Sequence, residues 1–332
     1  MSLGIGIIGA GIMGADHARA IAGNVPGAHV AAISDIDAAR VASVGAETGA
    51  RRILADGFAV IADPGVEAVI VAAPDATHAA LVLACLEAGK PVLCEKPLAV
   101  TSAESLAIVT KEAAMGKMLV QVGFMRRFDP AYVEMKAALA SGSLGEALLL
   151  HCVHRNAAPA YDFAPFMAIA NSAVHEIDIA RWLLGTEFSR ASVFRPVPRA
   201  GRIADPLLLV LEGTAGPLVE IEVFINAGYG YDVRGELVCE RGTVTLAPPV
   251  ATELRHAGVQ SFAFARDWRP RFAAAYRHEL QSWVRGIATG RYEGASAWDG
   301  YVATAVAEAG VRAIDTGVTQ DIGLADRPAL YA

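Results

Sequence analysis

The sequence predicts an α/β protein in two parts: a doubly wound parallel sheet over residues 1–123, then an α+β domain over 124–332 with an open, mostly antiparallel sheet. Three observations predict it. The first third alternates short apolar strand patterns with helical stretches, a rhythm that parallel β-α-β crossovers require. From Glu146 onward, strand-like runs follow one another through short turns, which join antiparallel neighbours. And 332 residues, 54% apolar and 19% charged, suit two cores better than one.

Taken in order, Leu3 to Ile8 is a buried-strand pattern that ends in Gly9-Ala10-Gly11-Ile12-Met13-Gly14 before a helical stretch through Ala22. A second strand, residues 29–34, ends at Asp35, about 20 residues past the glycines. Strand, glycine turn, helix and acidic residue in this order point to a Rossmann dinucleotide site. Gly9 permits the tight turn, Gly11 lets a pyrophosphate approach the helix N-terminus, and Gly14 lets helix pack on strand, with Ile12 and Met13 between them at the cofactor. Asp35 would accept from the ribose hydroxyls and repel a 2′-phosphate, so the expected cofactor is NAD.

The next strand, 67–73, leads to Pro74 and His78 and a helix to residue 88. Residues 91–94 lead into Glu95-Lys96-Pro97, and a helix at 102–115 precedes a strand at 118–123. Pro74, His78, Glu95 and Lys96 all fall at carboxyl ends of strands, where doubly wound sheets bind ligands. A charged pair leaving a buried strand is either used or paired, so Lys96 is a site candidate or the partner of Glu95. A cis bond before Pro97 would fix the direction of the lysine.

The second part opens with Phe124-Met125-Arg126-Arg127-Phe128-Asp129-Pro130 and a helix to about residue 140. Residues 147–156 alternate like a strand whose end carries His154, Arg155 and Asn156, and a proline-containing loop follows. Val174, Ile177, Trp182, Leu183 and Leu184 recur at helical spacing before Gly185, so residues 171–185 read as a helix. On it Asn171, His175 and Asp178 would share one face, an amide, an imidazole and a carboxylate in a stripe. That stripe is either a polar site or a set of hydrogen-bonded structural residues. Strand-like runs follow at 190–197, 206–212, 218–226, 232–239 and 243–246, then helices at 271–288 and 296–316 that pack on the sheet or return to the first domain. An open sheet with an uncovered face is an association hazard, so a homo-oligomer, dimer or tetramer, is expected through it.

Net charge is −7, from 28 basic and 35 acidic residues, with no basic run of five, which speaks against nucleic-acid and anionic-membrane partners. Cys85, Cys94, Cys152 and Cys239 are widely spaced with no C-x-x-C pair, so neither a zinc site nor a disulfide framework is expected, and reduced thiols in a cytoplasm fit. No charged leader precedes the first strand and no apolar run reaches about eighteen residues, the pattern of a soluble, unexported protein.

The glycine turn, Glu95-Lys96-Pro97, Phe124-Met125-Arg126-Arg127-Phe128-Asp129 and His175-Glu176-Ile177-Asp178 together resemble the Gfo/Idh/MocA family of sugar and cyclitol dehydrogenases over nearly the whole chain. His154-Arg155-Asn156, Val174 to Asp178 and Tyr229-Gly230-Tyr231-Asp232 look most like the branch that oxidises myo-inositol to a ketone with NAD. The resemblance implies His175 as general base and Lys96 as stabiliser of alkoxide charge, with no metal. Histidine suits the first role, because its ordinary pKa of about 6.5 lies near working pH. Arg127, in preference to Arg126, with His154, Asn156, Asp178 and Tyr231, would meet the remaining hydroxyls of a polyol substrate. Bland alternatives stand beside these: Arg127 in an ion pair, Asn156 in a turn, Tyr231 as a strand aromatic, His154 as a structural residue. One position departs from the pattern, since the family aspartate four residues before the histidine is Asn171 here. Other family activities therefore stay open: pyranose oxidation, keto-sugar reduction, or a non-catalytic NAD-binding regulator.

Overall fold

The computed structural model describes residues 2–159, 164, 166–197, 205–247 and 252–332. Much of the expected proline-containing loop lies outside them. The chain divides into two compact units. One comprises Met1–Met125, Tyr276–Thr304 and Leu324–Ala332, the other Arg126–Ala275 and Ala305–Gly323.

In the first unit the strands are β1 (Leu3–Ile8), β2 (Ala28–Ser34), β3 (Arg52–Ile53), β4 (Ala68–Val71), β5 (Val92–Cys94) and β6 (Val120–Val122). Between them run α1 (Ile12–Asn24), α2 (Ala38–Thr48), α3 (Gly57–Ala62), α4 (His78–Glu87) and α5 (Ser102–Met115). The sheet order β6-β5-β4-β1-β2-β3 is parallel throughout and reverses direction between β1 and β4, the switch point at which such sheets bind ligands. β4 and β5 are buried at every residue, so their sequences are continuous apolar runs without alternation, as a sheet covered on both faces demands. The sequence pattern missed α2, α3 and the two-residue β3, which carries too little periodicity to register.

The second unit holds α6 (Pro130–Ala140), β7 (Ala147–Arg155), α7 (Val174–Leu184), β8 (Phe188–Phe194), β9 (Leu207–Gly213), β10 (Leu218–Phe224), β11 (Asp232–Cys239) and β12 (Gly242–Thr245). An exposed hairpin of β13 (Leu254–His256) and β14 (Val259–Ser261) follows. Helix α8 (Trp268–Thr289), β15 (Ala295–Ser296), α9 (Ala297–Thr316) and β16 (Gln320–Asp321) complete the chain's main elements, with α8 and α9 each contributing residues to both units. β15 adds an antiparallel edge to β6 in the first sheet. The second sheet runs β12-β11-β7-β10-β9-β8-β16, antiparallel except where β7 meets β10. Its strands alternate between buried and half-exposed residues along β7, β9 and β10, the period of a sheet with one covered face. The run expected at 190–197 is displaced to Phe188–Phe194, because apolar pattern locates a strand better than it locates its ends.

In the first unit Leu280 and Trp283 of α8 join Ile5, Ile7, Ile33 and Ile70 in one fully buried cluster. Each such side chain contributes about 1.5–3 kcal/mol by leaving water. Near the end of the chain the Tyr331 hydroxyl donates to buried Glu112 at 2.5 Å, while the same carboxylate accepts from Leu119 N and Val120 N at 2.5 and 2.6 Å. Burial pushes the Glu112 carboxyl above its usual range in spite of these donors. Tyr331→Phe, which removes one donor from a buried acceptor, should lower unfolding stability by about 1–3 kcal/mol. A urea midpoint unchanged from wild type would show that this bond contributes nothing.

Candidate active site

In the first unit the three glycines differ in what holds them. Gly9 has φ +96°, and a Cβ there would stand 2.3 Å from Ala72 O, on the neighbouring loop. A Cβ on Gly14 would stand 1.9 Å from Gly9 O, so α1 can approach the turn only without one. At Gly11 a Cβ would meet nothing within 4 Å. Protein packing therefore requires two of the glycines, and the third opens a space. Gly11 is also the N-cap of α1 and offers no side-chain bond, so the first amides of the helix face that space, a setting that favours an anion. Ile12 is 54% exposed beside it and Met13 half-buried. The Asp35 carboxylate accepts from Ala10 N at 2.6 Å and Asp37 N at 2.8 Å, which locks a negative charge at the end of β2.

Across the switch point, Pro74 is exposed, whereas His78 is buried and spans two carbonyls, with Nδ1 2.7 Å from Pro97 O and Nε2 2.9 Å from Ala73 O. The Lys96-Pro97 bond is cis. Lys96 is half-buried. Glu95, 6% exposed, directs its carboxylate inward onto His17 of α1, Oε1 to Nε2 2.7 Å. Burial alone would raise the Glu95 carboxyl, but the His17 hydrogen bond and charge, then Lys96 and His78, bring it below the usual range. His17 had no signal in the sequence beyond being a polar residue on the apolar side of a short helix.

The second unit gathers its own set. The expected single helix is two pieces: residues Ala168–Ala173 form a π-helical turn, and α7 starts at Val174. Asn171 lies half-buried in that turn, His175 is 8% exposed at the start of α7, and Asp178 is fully buried. A helical apolar period cannot distinguish an α-turn from a π-turn over six residues, and π-turns recur at functional sites. Arg127 grips Asp178 with both arms, Nε to Oδ2 2.9 Å and one terminal nitrogen to Oδ1 2.6 Å. Arg126 is ion-paired with Glu176, each side chain 1% exposed. Thus the two adjacent arginines hold two carboxylates that follow His175 on the same helix.

Glu176 also accepts from His154, whose Nδ1 is 2.9 Å away. With the proton on Nδ1, the neutral ring keeps Nε2 as an acceptor. Burial would raise the Glu176 carboxyl, but the charge of Arg126 and the hydrogen bonds from His154 and Arg126 hold it below the usual range. Period two along β7 places His154 on the covered face with Leu150 and Cys152. The Tyr231 ring meets His154 edge-on at 5.9 Å, and burial pushes its phenol up to about 12, so it stays an O–H donor near neutral pH. Asn156 sits in the turn after β7, its backbone bonded to Phe224 and Ala227. Glu176 was missed by sequence reasoning. A charged residue among the apolar positions of a helix asks for a buried partner, but the partner here lies 50 residues away.

All four cysteines are buried free thiols. Among the described residues no helix is long and apolar enough to cross a membrane, and no three His, Cys, Asp or Glu side chains are arranged to hold a metal.

Arg126→Leu strands the Glu176 charge and should cost about 3–5 kcal/mol at neutral pH. Because the folded Glu176 pKa is depressed, the pair's stabilisation is present above the unfolded value of about 4.5 and is lost as pH falls through the folded one. The stability gap between wild type and Arg126→Leu should therefore narrow on acidification below about pH 4. Urea unfolding at a series of pH values reads it; a gap that does not narrow would argue against the ion pair as its source.

Residues 3–124 match the oxidoreductase family with an NAD-binding Rossmann fold, and residues 132–245 match the Gfo/Idh/MocA C-terminal domain. Over 335 residues, covering 100% of this chain and 99% of the relative, it is 54% identical to inositol 2-dehydrogenase 1 of Saccharopolyspora erythraea. It is 42% identical to inositol 2-dehydrogenase of Burkholderia cenocepacia over the same shares. The crystal structure of myo-inositol dehydrogenase from Lactobacillus casei, in complex with NAD(H) and myo-inositol, superimposes with a TM-score of 0.95 at 32% identity, covering 100% of both chains. By sequence over its full length and by fold, this chain belongs to the Gfo/Idh/MocA family of oxidoreductases.

Proposed function

We propose that the protein oxidises a secondary ring hydroxyl of myo-inositol, or of a close cyclitol, to the ketone with NAD. The observation that carries this reading is full-length similarity to inositol 2-dehydrogenases, at 54% identity to one of them, joined to a structural match with a myo-inositol dehydrogenase. The residues fit the cofactor. The space kept open at Gly11 receives the pyrophosphate against the α1 amides, and the fixed Asp35 charge accepts ribose hydroxyls while opposing a 2′-phosphate. Bound NAD supplies the hydride acceptor.

His175 takes the hydroxyl proton as the carbon is oxidised, and Asn171 orients its ring by hydrogen bonding. Lys96, cationic, stabilises the developing alkoxide. His154 accepts a ring hydroxyl at Nε2, and Tyr231 and Asn156 supply further polar contacts. Asp178 gives two lone pairs to Arg127 and has others left for a hydroxyl, so their ion pair is compatible with substrate contact. Lys96, with Pro74, Ile12 and Met13, completes the cofactor side, and Glu95 and His78 are buried behind it. We also infer a homo-oligomer, dimer or tetramer, formed through the half-exposed face of the second sheet, where His151–Glu220 and Arg155–Glu222 already pair across strands. The buried free thiols fit a reducing cytoplasm.

Incubation with NAD and a panel of inositols and aldoses, followed by the absorbance of reduced cofactor, tests the reading. Reduction should be fastest with an inositol, and His175→Ala and Lys96→Ala should each lower kcat by about 10²-fold or more. Preference for an aldose over every inositol would overturn the substrate assignment. Asn171→Asp should raise turnover by giving the imidazolium a counter-charge; unchanged or lower turnover would show that an amide serves this site equally well.

A further inference from the structure

The turn that carries Lys96 is gripped on both sides of the lysine by buried histidines. Before it, Glu95 is tied to α1: His17, 1% exposed and three residues past Gly14, places Nε2 2.7 Å from Glu95 Oε1. The second carboxylate oxygen lies 3.4 Å from the Lys96 amide nitrogen. After it, Pro97 is tied to the β4 end of the sheet: His78, also 1% exposed, bridges Pro97 O and Ala73 O. Gly123 leaves the room that the Glu95 carboxylate occupies, since a Cβ there would stand 3.0 Å from Glu95 Oε2. Tyr276 of α8 covers the His17 ring edge-on at 6.0 Å.

A buried imidazole costs free energy unless it is bonded, and each ring directs one bond to a residue flanking Lys96. The flexible four-carbon stem of lysine gives its ammonium a wide reach, so a fixed backbone at its base is what narrows that reach. A displacement of about 1 Å at a reacting group can cost about 10²-fold in rate.

We propose that His17 and His78 are positioning residues for Lys96: they hold Glu95 and Pro97 so that the ammonium meets the reacting oxygen, and His17 ties that placement to the helix whose N-terminus receives the cofactor. Neither ring acts on substrate. The inference rests on Lys96 having the role given above, and it moves Glu95 and His78 from cofactor contact to support of the lysine.

His17→Leu removes the bond to Glu95, His17→Gln returns an N–H donor of similar reach, and His78→Leu removes the other tie. The readouts are kcat, KM for inositol, NADH affinity by fluorescence titration, and thermal unfolding. Each Leu variant should lose about tenfold or more in kcat, with NADH affinity within about threefold of wild type, and His17→Gln should recover most of the loss. A folded His17→Leu with kcat within about twofold of wild type overturns the proposal, as does a parallel fall of kcat and NADH affinity that Gln does not rescue. If one Leu variant fails to fold, the other carries the same test from the opposite side of the lysine. A wild-type protein inert towards every inositol would remove the functional reading and this inference with it, whereas an active wild type with indifferent histidine variants removes the inference alone.

Discussion

A carboxylate sealed from water has to be answered by hydrogen-bond donors or by a cation, and the second unit depends most on one answer of the second kind, Arg126 against Glu176. Left alone, either charge would cost several kcal/mol. Together they fix where the turn carrying the two arginines meets α7. Arg127 and Asp178 repeat the grip two residues further along the helix. Two contacts at different angles around a helix leave it no freedom to rotate, so the direction of His175 follows from ion pairs to which it does not belong. Glu176 then extends the grip to His154 on β7, so that helix, turn and strand share one charge network. In the nucleotide unit the buried Glu95 carboxylate is answered by a hydrogen bond from His17.

The fold was legible because burial writes itself into local pattern. β4 and β5 are continuous apolar runs since both faces are covered; β7, β9 and β10 alternate since one face is not. The glycine turn was legible for a related reason, because each glycine stands where a Cβ would strike backbone or close a space. What pattern does not encode is partnership. Nothing near Arg126 and Arg127 says which carboxylate each will meet, and motif position, which favours Arg127 as the arginine facing a polyol, does not name its partner Asp178. The π-turn at Asn171 was hidden too, because over six residues its period is indistinguishable from an α-helix.

These pairings sharpen the meaning of Asn171. Where the resemblance implies a carboxylate four residues before the histidine, this chain has the amide Asn171. The two carboxylates that follow His175 most closely are already neutralised by Arg126 and Arg127. In the mechanism we propose, the negative charge available to a His175 imidazolium is accordingly smaller than the count of acidic residues around it suggests. An amide can bond with direction as an aspartate does, but it brings no Coulombic support.

The bond between Tyr331 and Glu112 has a consequence for how the protein comes into being. A ribosome delivers residues in order, and the unit built on the glycine turn draws on 276–304 and 324–332 as well as on the first 125. Until those late segments emerge, the nascent first sheet lacks its β15 edge, the indole of Trp283 and the hydroxyl that satisfies Glu112. The cofactor-binding half, although it is synthesised first, is completed last.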